Sequence, residues 1–228
     1  MHKLIYSPSI MCANLLNLEK DITLLERSGI PYLHVDIMDF NFVPNLTIGF
    51  DLLNQLDRFP MLKDIHLMVK DVEKAIDRIH LRPGNTISFH LESTTNIDYI
   101  IDKINAKGYR AGLVLSPETP VSAIEPYINK VALIYIMCVQ PGYAGQQFIN
   151  NSYKKVISLK GILNNMSSPP LIGVDGGIGF EQIREFDNLG VDIFVLGTST
   201  LFKHNLALQL AKLESFTNSY HGYDIYSV

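Results

Sequence analysis

The sequence HVDIMDFNFVPN, residues 34–45, sets His34, Asp36 and Met38 two residues apart in an apolar run. On a strand, residues i and i+2 face the same side, so these three project together. DIHLMV repeats the pattern with His66 and Met68, and LIGVDGG carries Asp175 at its end. If those faces converge near the exits of neighbouring strands, His34, Asp36, His66 and Asp175 form a set of two imidazoles and two carboxylates. Such a mixed N/O set suits Zn²⁺, Fe²⁺, Mn²⁺ or Co²⁺ better than Mg²⁺ or Ca²⁺. One such residue alone is more often a hydrogen-bonded polar group, whereas four at strand ends argue for a metal centre. His90 and Glu92, in FHLE, are candidates either for outer partners of the ligating histidines or for purely structural roles.

Glycines mark a second feature. QPGYAGQQF, VDGG and LGTSTLF follow three successive apolar runs, so their backbone N–H groups gather at one rim. One glycine-rich loop explains itself as a tight turn. Three adjacent ones, with a short helix N-terminus expected after the last, point to a phosphate socket built without formal positive charge. Met38, Met68 and Met137 are common core fillers by type. Beside a metal they would also lower the local dielectric without offering a competing proton acceptor, which strengthens stabilisation of an anion.

These residues need a scaffold that brings strand ends together. Strand-like runs occur at 4–11, 32–38, 63–69, 86–91, 110–116, 131–139, 171–177 and 191–198. Amphipathic stretches at 15–27, 72–81, 97–107, 152–163, 180–189 and 205–216 lie between them, with apolar residues at three- and four-residue steps. Eight such β-then-α units predict an α/β fold, a single (β/α)₈ TIM barrel spanning 1–228, with a frayed or interface-packed tail over 217–228. An open doubly wound sheet would carry a glycine-rich fingerprint after its first strand, and CANLLNLEKD has none.

Composition narrows the function. The chain has 228 residues, 47% hydrophobic and 18% charged, and its net charge is −4. The longest basic run is Lys154-Lys155, so no nucleic-acid footprint is present. The apolar run Val131 to Val139 is far short of the ~20 residues that span a bilayer. Cys12 and Cys138 sit inside apolar runs and read as reduced thiols, which places the protein in the cytoplasm by default. Barrel helices with apolar surface commonly find partners, so a homo-oligomer is expected.

Taken together, SPSIM, HVDIMDFNFVPNLTIG, DIHLMV, FHLE, AGLVLSPETP, MCVQPGYAGQQF, VDGGI and GVDIFVLGTS resemble the ribulose-phosphate 3-epimerase family of ketose-phosphate 3-epimerases, which includes allulose-6-phosphate 3-epimerases. The resemblance implies a ribulose-phosphate-binding barrel with one divalent metal, Zn²⁺ favoured, on His34, Asp36, His66 and Asp175. It also implies Asp36 and Asp175 as the acid/base pair. Substrate contacts are implied for Ser9, His66, Gly142, Tyr143, Ala144, Gly145, Gly176, Gly177, Gly197 and Thr198.

The implied reaction is epimerisation at C3 of a ketose phosphate through a metal-stabilised enediolate. One aspartate removes the proton and the other returns one to the opposite face. D-ribulose 5-phosphate and D-xylulose 5-phosphate are the favoured pair, and D-allulose 6-phosphate and D-fructose 6-phosphate the alternative. Phe40, Asn41, Gln140 and Ala144 depart from the family's usual residues and put the choice of sugar in question. Two other readings are a non-catalytic sugar-phosphate-binding barrel and a metal-free phosphate-binding enzyme. The second would call for a catalytic lysine in the strand interiors, where the sequence shows none.

Overall fold

The structure, a computed structural model, describes residues 4–221. Its strands are β1 (Ile5–Pro8), β2 (Tyr32–Met38), β3 (Leu62–Met68), β4 (Thr86–His90), β5 (Arg110–Leu115), β6 (Leu133–Met137), β7 (Leu171–Asp175) and β8 (Ile193–Leu196). All pair in parallel in the order β1-β8-β7-β6-β5-β4-β3-β2, and a parallel bridge between Ser9 and His34 joins the two ends. The helices are α1 (Leu18–Arg27), α2 (Phe50–Gln55), α3 (Val72–Asp77), α4 (Ile97–Ala106), α5 (Asn151–Leu163), α6 (Phe180–Asn188) and α7 (Leu206–His221). They cover the outside of the sheet, and the largest apolar core lies between the two layers. The (β/α)₈ expectation therefore holds.

Four local expectations change. The first strand stops at Pro8, and Ile10–Cys12 forms a turn of 3₁₀ helix instead of extending the strand to residue 11. After β5 the connection is a 3₁₀ segment, Val121–Tyr127, because Pro126 has no N–H to continue an α ladder. The short α2, six residues long, went unread because so brief a segment carries little periodicity. Residues 217–221 continue α7, and the Thr217 hydroxyl, buried, bonds the Tyr6 hydroxyl at 2.9 Å. The rest of the expected tail, 222–228, lies outside the described residues.

The barrel interior divides in two. On β1 to β4 most of its inward positions are polar and buried, among them Ser7, His34, Asp64, Ser88 and His90. On β5 to β8 they are largely apolar, with Val114, Leu133, Met137 and Val195 forming a separate cluster. Burying polar groups costs free energy unless they are paired. Ser7, His34, Asp64, Asp36, His66 and His90 are joined in one hydrogen-bonded network that leads to the strand exits, while the Ser88 hydroxyl and Asp64 Oδ1 take no partner in it.

Glycine makes room for its central member. A Cβ at Gly173 would lie 2.2 Å from Tyr135 Cε1, so only glycine lets Tyr135 lie across the barrel and donate its hydroxyl to Asp64 Oδ2 at 2.5 Å. Gly173→Ala is expected to lower unfolding free energy by roughly 1–3 kcal/mol, the usual cost of overpacking. The denaturant midpoint should fall at unchanged slope, and an unmoved midpoint would contradict the packing argument.

Lys63 belongs to β3 and is fully buried, yet it faces the helix layer rather than the interior. Its ammonium donates to the carbonyls of Phe59 and Met61 at 2.7 and 2.6 Å, at the strand's starting end, and burial pushes its pKa down to about 8. It serves the backbone there and does not reach the barrel mouth.

Candidate functional site

Register puts the chemistry-bearing residues together. His34 pairs with Asp64, Asp36 with His66 and Met38 with Met68 across β2 and β3. Met137 pairs with Asp175 across β6 and β7. Asp36 Oδ1 lies 3.2 Å from both His34 Nε2 and His66 Nδ1. Asp175 Oδ2 lies 3.6 and 3.4 Å from the same two nitrogens. One donor atom from each of the four residues falls within 4.8 Å of every other.

Those separations meet a direct test of fit. Donors placed about 2.0–2.2 Å from a common centre stand roughly 3–3.5 Å apart along the edges of their polyhedron. The four ring-to-carboxylate distances fall at or near that value, so the residues could hold a metal ion.

Hydrogen bonding decides which ring nitrogens face the centre. Asp64 Oδ2 accepts from His34 Nδ1 at 2.8 Å, from Tyr135 and, at 3.2 Å, from the Ser7 hydroxyl. With the His34 proton committed to Asp64, Nε2 presents a lone pair to the two carboxylates. Lone pairs and carboxylate oxygens facing one another require a cation or an extra proton between them. Burial opposes charge on His34, but Asp36 and Asp64 outweigh it and hold its pKa well above the ordinary value. Burial would likewise raise Asp36, yet the His34 and His66 rings beside it carry its pKa far below the usual carboxylate range.

On the outer side of His66, His90 Nε2 lies 2.9 Å from His66 Nε2. His90 Nδ1 lies 3.3 Å from Glu92 Oε2 and 3.1 Å from the Ser116 hydroxyl. Burial pushes His90 down to about 4. Burial tends to raise Glu92, but the bonds from His90 and Thr119 bring it down to about 2. A carboxyl with a lower pKa folded than unfolded contributes stability above its unfolded value and loses it as pH falls through the folded one. Stability should therefore decline between about pH 4.5 and about pH 2 in part through Glu92. Unfolding midpoints of Glu92→Gln across that window should show a shallower decline; an identical profile would remove Glu92 from the account.

Above the donors lies a cavity. Asp36, Asp175 and Ser9 form its floor, Met38, Met68 and Met137 its sides, and the loops carrying Gly142, Tyr143, Ala144, Gly145, Gly176, Gly177, Gly197 and Thr198 its rim. His34 and His66 are buried beneath it. The Ser9 hydroxyl donates to Asp36 Oδ2 at 2.6 Å and so fixes the carboxylate from its other side. Gly176 and Gly177 have φ of 105° and 69°, a region that side chains disfavour, and a Cβ at Gly176 would also overlap Val139. Across the mouth, Asn45 Nδ2 donates to the Gly142 carbonyl at 2.7 Å and the Tyr143 hydroxyl donates to the Pro44 carbonyl, tying two rim loops together.

Of the residues singled out from sequence for the site, the two aspartates, Ser9, the three methionines and the glycine-loop residues line this cavity, His34 and His66 lie beneath it, and His90 and Glu92 stand behind His66 away from it; two further expectations change. The short helix expected after β8 is a turn, in which the N–H groups of Thr200, Leu201 and Phe202 all fold back on the Gly197 carbonyl. Phe40 and Asn41 are not among the cavity-lining residues: Phe40 is 69% exposed, and Asn41 bonds Asp39 beneath the loop. Sequence reasoning missed Asp64, Tyr135 and Ser7. The signal for Asp64 was its place two residues before His66, on the same face of β3.

Fold and site together define a parallel α/β barrel with a His/Asp centre at the strand exits. The fold is shared with distant solved structures. These include a mutant tryptophan synthase α-subunit from Pyrococcus furiosus (TM-score 0.66, 11% identity, covering 98% of this chain and 100% of that one). Phosphoribosyl anthranilate isomerase from Thermus thermophilus is another (TM-score 0.62, 12% identity, 93% and 99%). Residues 5–202 match the model of the ribulose-phosphate 3 epimerase family. Ribulose-phosphate 3-epimerase of Buchnera aphidicola is 32% identical over 229 residues, covering 99% of this chain and 100% of that protein. The Escherichia coli K12 protein of the same name is 32% identical over 201 residues, covering 87% and 89%. The chloroplastic ribulose-5-phosphate-3-epimerase of Arabidopsis thaliana is 35% identical over 201 residues, covering 86% and 71%. This chain belongs to the ribulose-phosphate 3-epimerase family, whose members are carbohydrate isomerases.

Proposed function

We propose that the protein epimerises C3 of a ketose phosphate, with D-ribulose 5-phosphate and D-xylulose 5-phosphate as its pair. The observation that carries the reading is the placing of two carboxylates, from β2 and β7, in one donor cluster with two buried imidazoles on the floor of a glycine-rimmed cavity. His34 Nε2, Asp36, His66 Nδ1 and Asp175 would hold a divalent ion, Zn²⁺ being favoured by the N/O donors. Such an ion supplies Lewis acidity to the ketose oxygens, which lowers the cost of forming an enediolate.

The chain's own groups do the rest. Inverting a carbon by proton transfer needs a base on one face and an acid on the other. Asp36 and Asp175 come from strands separated in the sheet by β1 and β8, so each can address a different face of a substrate lying between them. Ser9 and the two histidines orient Asp36, while Asp175 opens to the cavity. The three methionine side chains keep the reacting carbon in apolar surroundings and accept no proton. Among the described residues lining the cavity there is no Lys or Arg, so backbone N–H groups of the glycine loops hold the phosphate.

Turnover of metal-analysed protein on five- and six-carbon ketose phosphates tests the assignment. Preference for the five-carbon pair is expected, and exclusive use of the allulose/fructose pair would overturn the sugar while leaving the chemistry. No helix among the described residues is long and apolar enough to cross a membrane. Both cysteines are free thiols, in keeping with a reducing, cytoplasmic setting. We extend the reading to a homo-oligomer, for which light scattering should return a multiple of 25.7 kDa.

A further inference from the structure

We propose that His90 and Glu92 are positioning residues which, through a directional hydrogen-bond chain, fix the nitrogen that His66 turns to the metal centre. The inference rests on the metal reading above and deepens it. The two histidines of the donor cluster face the centre through different atoms, His34 by Nε2 and His66 by Nδ1. His34 has its outer nitrogen on a carboxylate, Asp64, at 2.8 Å. His66 has instead a second imidazole, with the two Nε2 atoms 2.9 Å apart.

A contact between two ring nitrogens at that distance needs one N–H and one lone pair, and it can be set in two ways. In the first, His66 Nε2–H donates to His90 Nε2. His90 then carries its proton on Nδ1, shared by Glu92 Oε2 and the Ser116 hydroxyl oxygen, and His66 Nδ1 is a bare lone pair facing the centre. In the second, His90 Nε2–H donates to His66. His66 Nδ1 then carries a proton and cannot ligate, while the His90 Nδ1 lone pair confronts the Glu92 carboxylate. Glu92 thus selects the first setting from two links away.

Its own position is secured by Oε1, which accepts from the Ser116 N–H at 3.1 Å and from the Thr119 hydroxyl. The Phe42 ring packs on His90, centroids 4.9 Å apart, and holds the relay ring in its plane. With both rings neutral, the chain ends on one carboxylate two links from the centre, so it orients His66 without placing a charge directly behind that ring. Outer partners of this kind commonly change metal affinity by about 10–100-fold when removed.

The test uses full-length protein labelled with ¹⁵N-histidine and loaded with Zn²⁺, the ring tautomers being read by multiple-bond ¹H–¹⁵N spectra. His90 should be protonated on Nδ1 and bare on Nε2, with His66 protonated on Nε2. In Glu92→Gln, whose amide can donate to His90 Nδ1, the reversed tautomer should appear and Zn²⁺ affinity, measured by chelator competition, should fall about 10-fold or more. His90→Phe, where it folds, should lose more. A wild-type His90 protonated on Nε2, or a folded Glu92→Gln with wild-type affinity, overturns the proposal. Wild-type protein that takes up no Zn²⁺ overturns the metal reading itself and the proposal with it, a result distinct from the other two.

Discussion

Asp36→Asn and Asp175→Asn are each expected to lose at least about 10²–10⁴-fold in turnover, the range that one positioned acid or base contributes. Exchange of the substrate C3 hydrogen with solvent should fall with it. An amide keeps the shape of the carboxylate but cannot take up a proton, and it is a poor donor to a cation. Each substitution therefore removes one face of the proton transfer and one member of the four-atom cluster. Folding should survive both. At position 36 the Ser9 hydroxyl can still donate to the amide oxygen, and one charge leaves a buried cluster that also holds Asp64. Asp175 lies at the end of β7, 15% exposed, where an uncharged side chain costs little. Circular dichroism and C3 hydrogen exchange measured on the same samples separate loss of chemistry from loss of structure. Undiminished exchange in both variants would remove the aspartates from the mechanism.

Stripping divalent metal should abolish turnover and lower the melting temperature, and resupplying the ion should restore both. An ion that binds only the folded state stabilises it by about 4 kcal/mol at 1,000 times its dissociation constant. For a chain of this size each kcal/mol moves the midpoint by about 2–4 °C, so the shift should be roughly 8–16 °C. The physical source is the crowd of acceptors: His34 Nε2 and oxygens of Asp36 and Asp175 face one another in a buried site. Without a cation the site must recruit a proton onto an imidazole, the direction in which Asp36 and Asp64 push His34, or tolerate repulsion. Identical melting curves for stripped and resupplied protein would contradict the metal reading.

Much of this was legible in the chain because barrels translate period into position. The i, i+2 spacing of His34, Asp36 and Met38 survives unchanged in β2, and the same spacing in β3 places His66 and Met68 beside them. Closing the sheet then brings Asp175 of β7 to the same centre, a step that follows from architecture once eight units are recognised. The network below was harder to see. Asp64 and Tyr135 are ordinary strand residues by type, and their meeting depends on Gly173 leaving room for a ring, which no local pattern encodes. Phe40 shows the opposite failure. Its neighbourhood to the motif in sequence implied a place beside the substrate, but a φ of 60° turns the chain so that the ring is exposed and outside the cavity lining.

The central claim is that two carboxylates on two faces exchange the C3 hydrogen. It meets its most direct test in the first turnovers of metal-loaded protein on D-ribulose 5-phosphate in D₂O, followed by NMR at C3. Two acid/base groups predict that newly formed D-xylulose 5-phosphate carries deuterium at C3 from the outset, because the proton removed by one aspartate is not the one returned by the other. Product that retains its original C3 hydrogen would contradict the account.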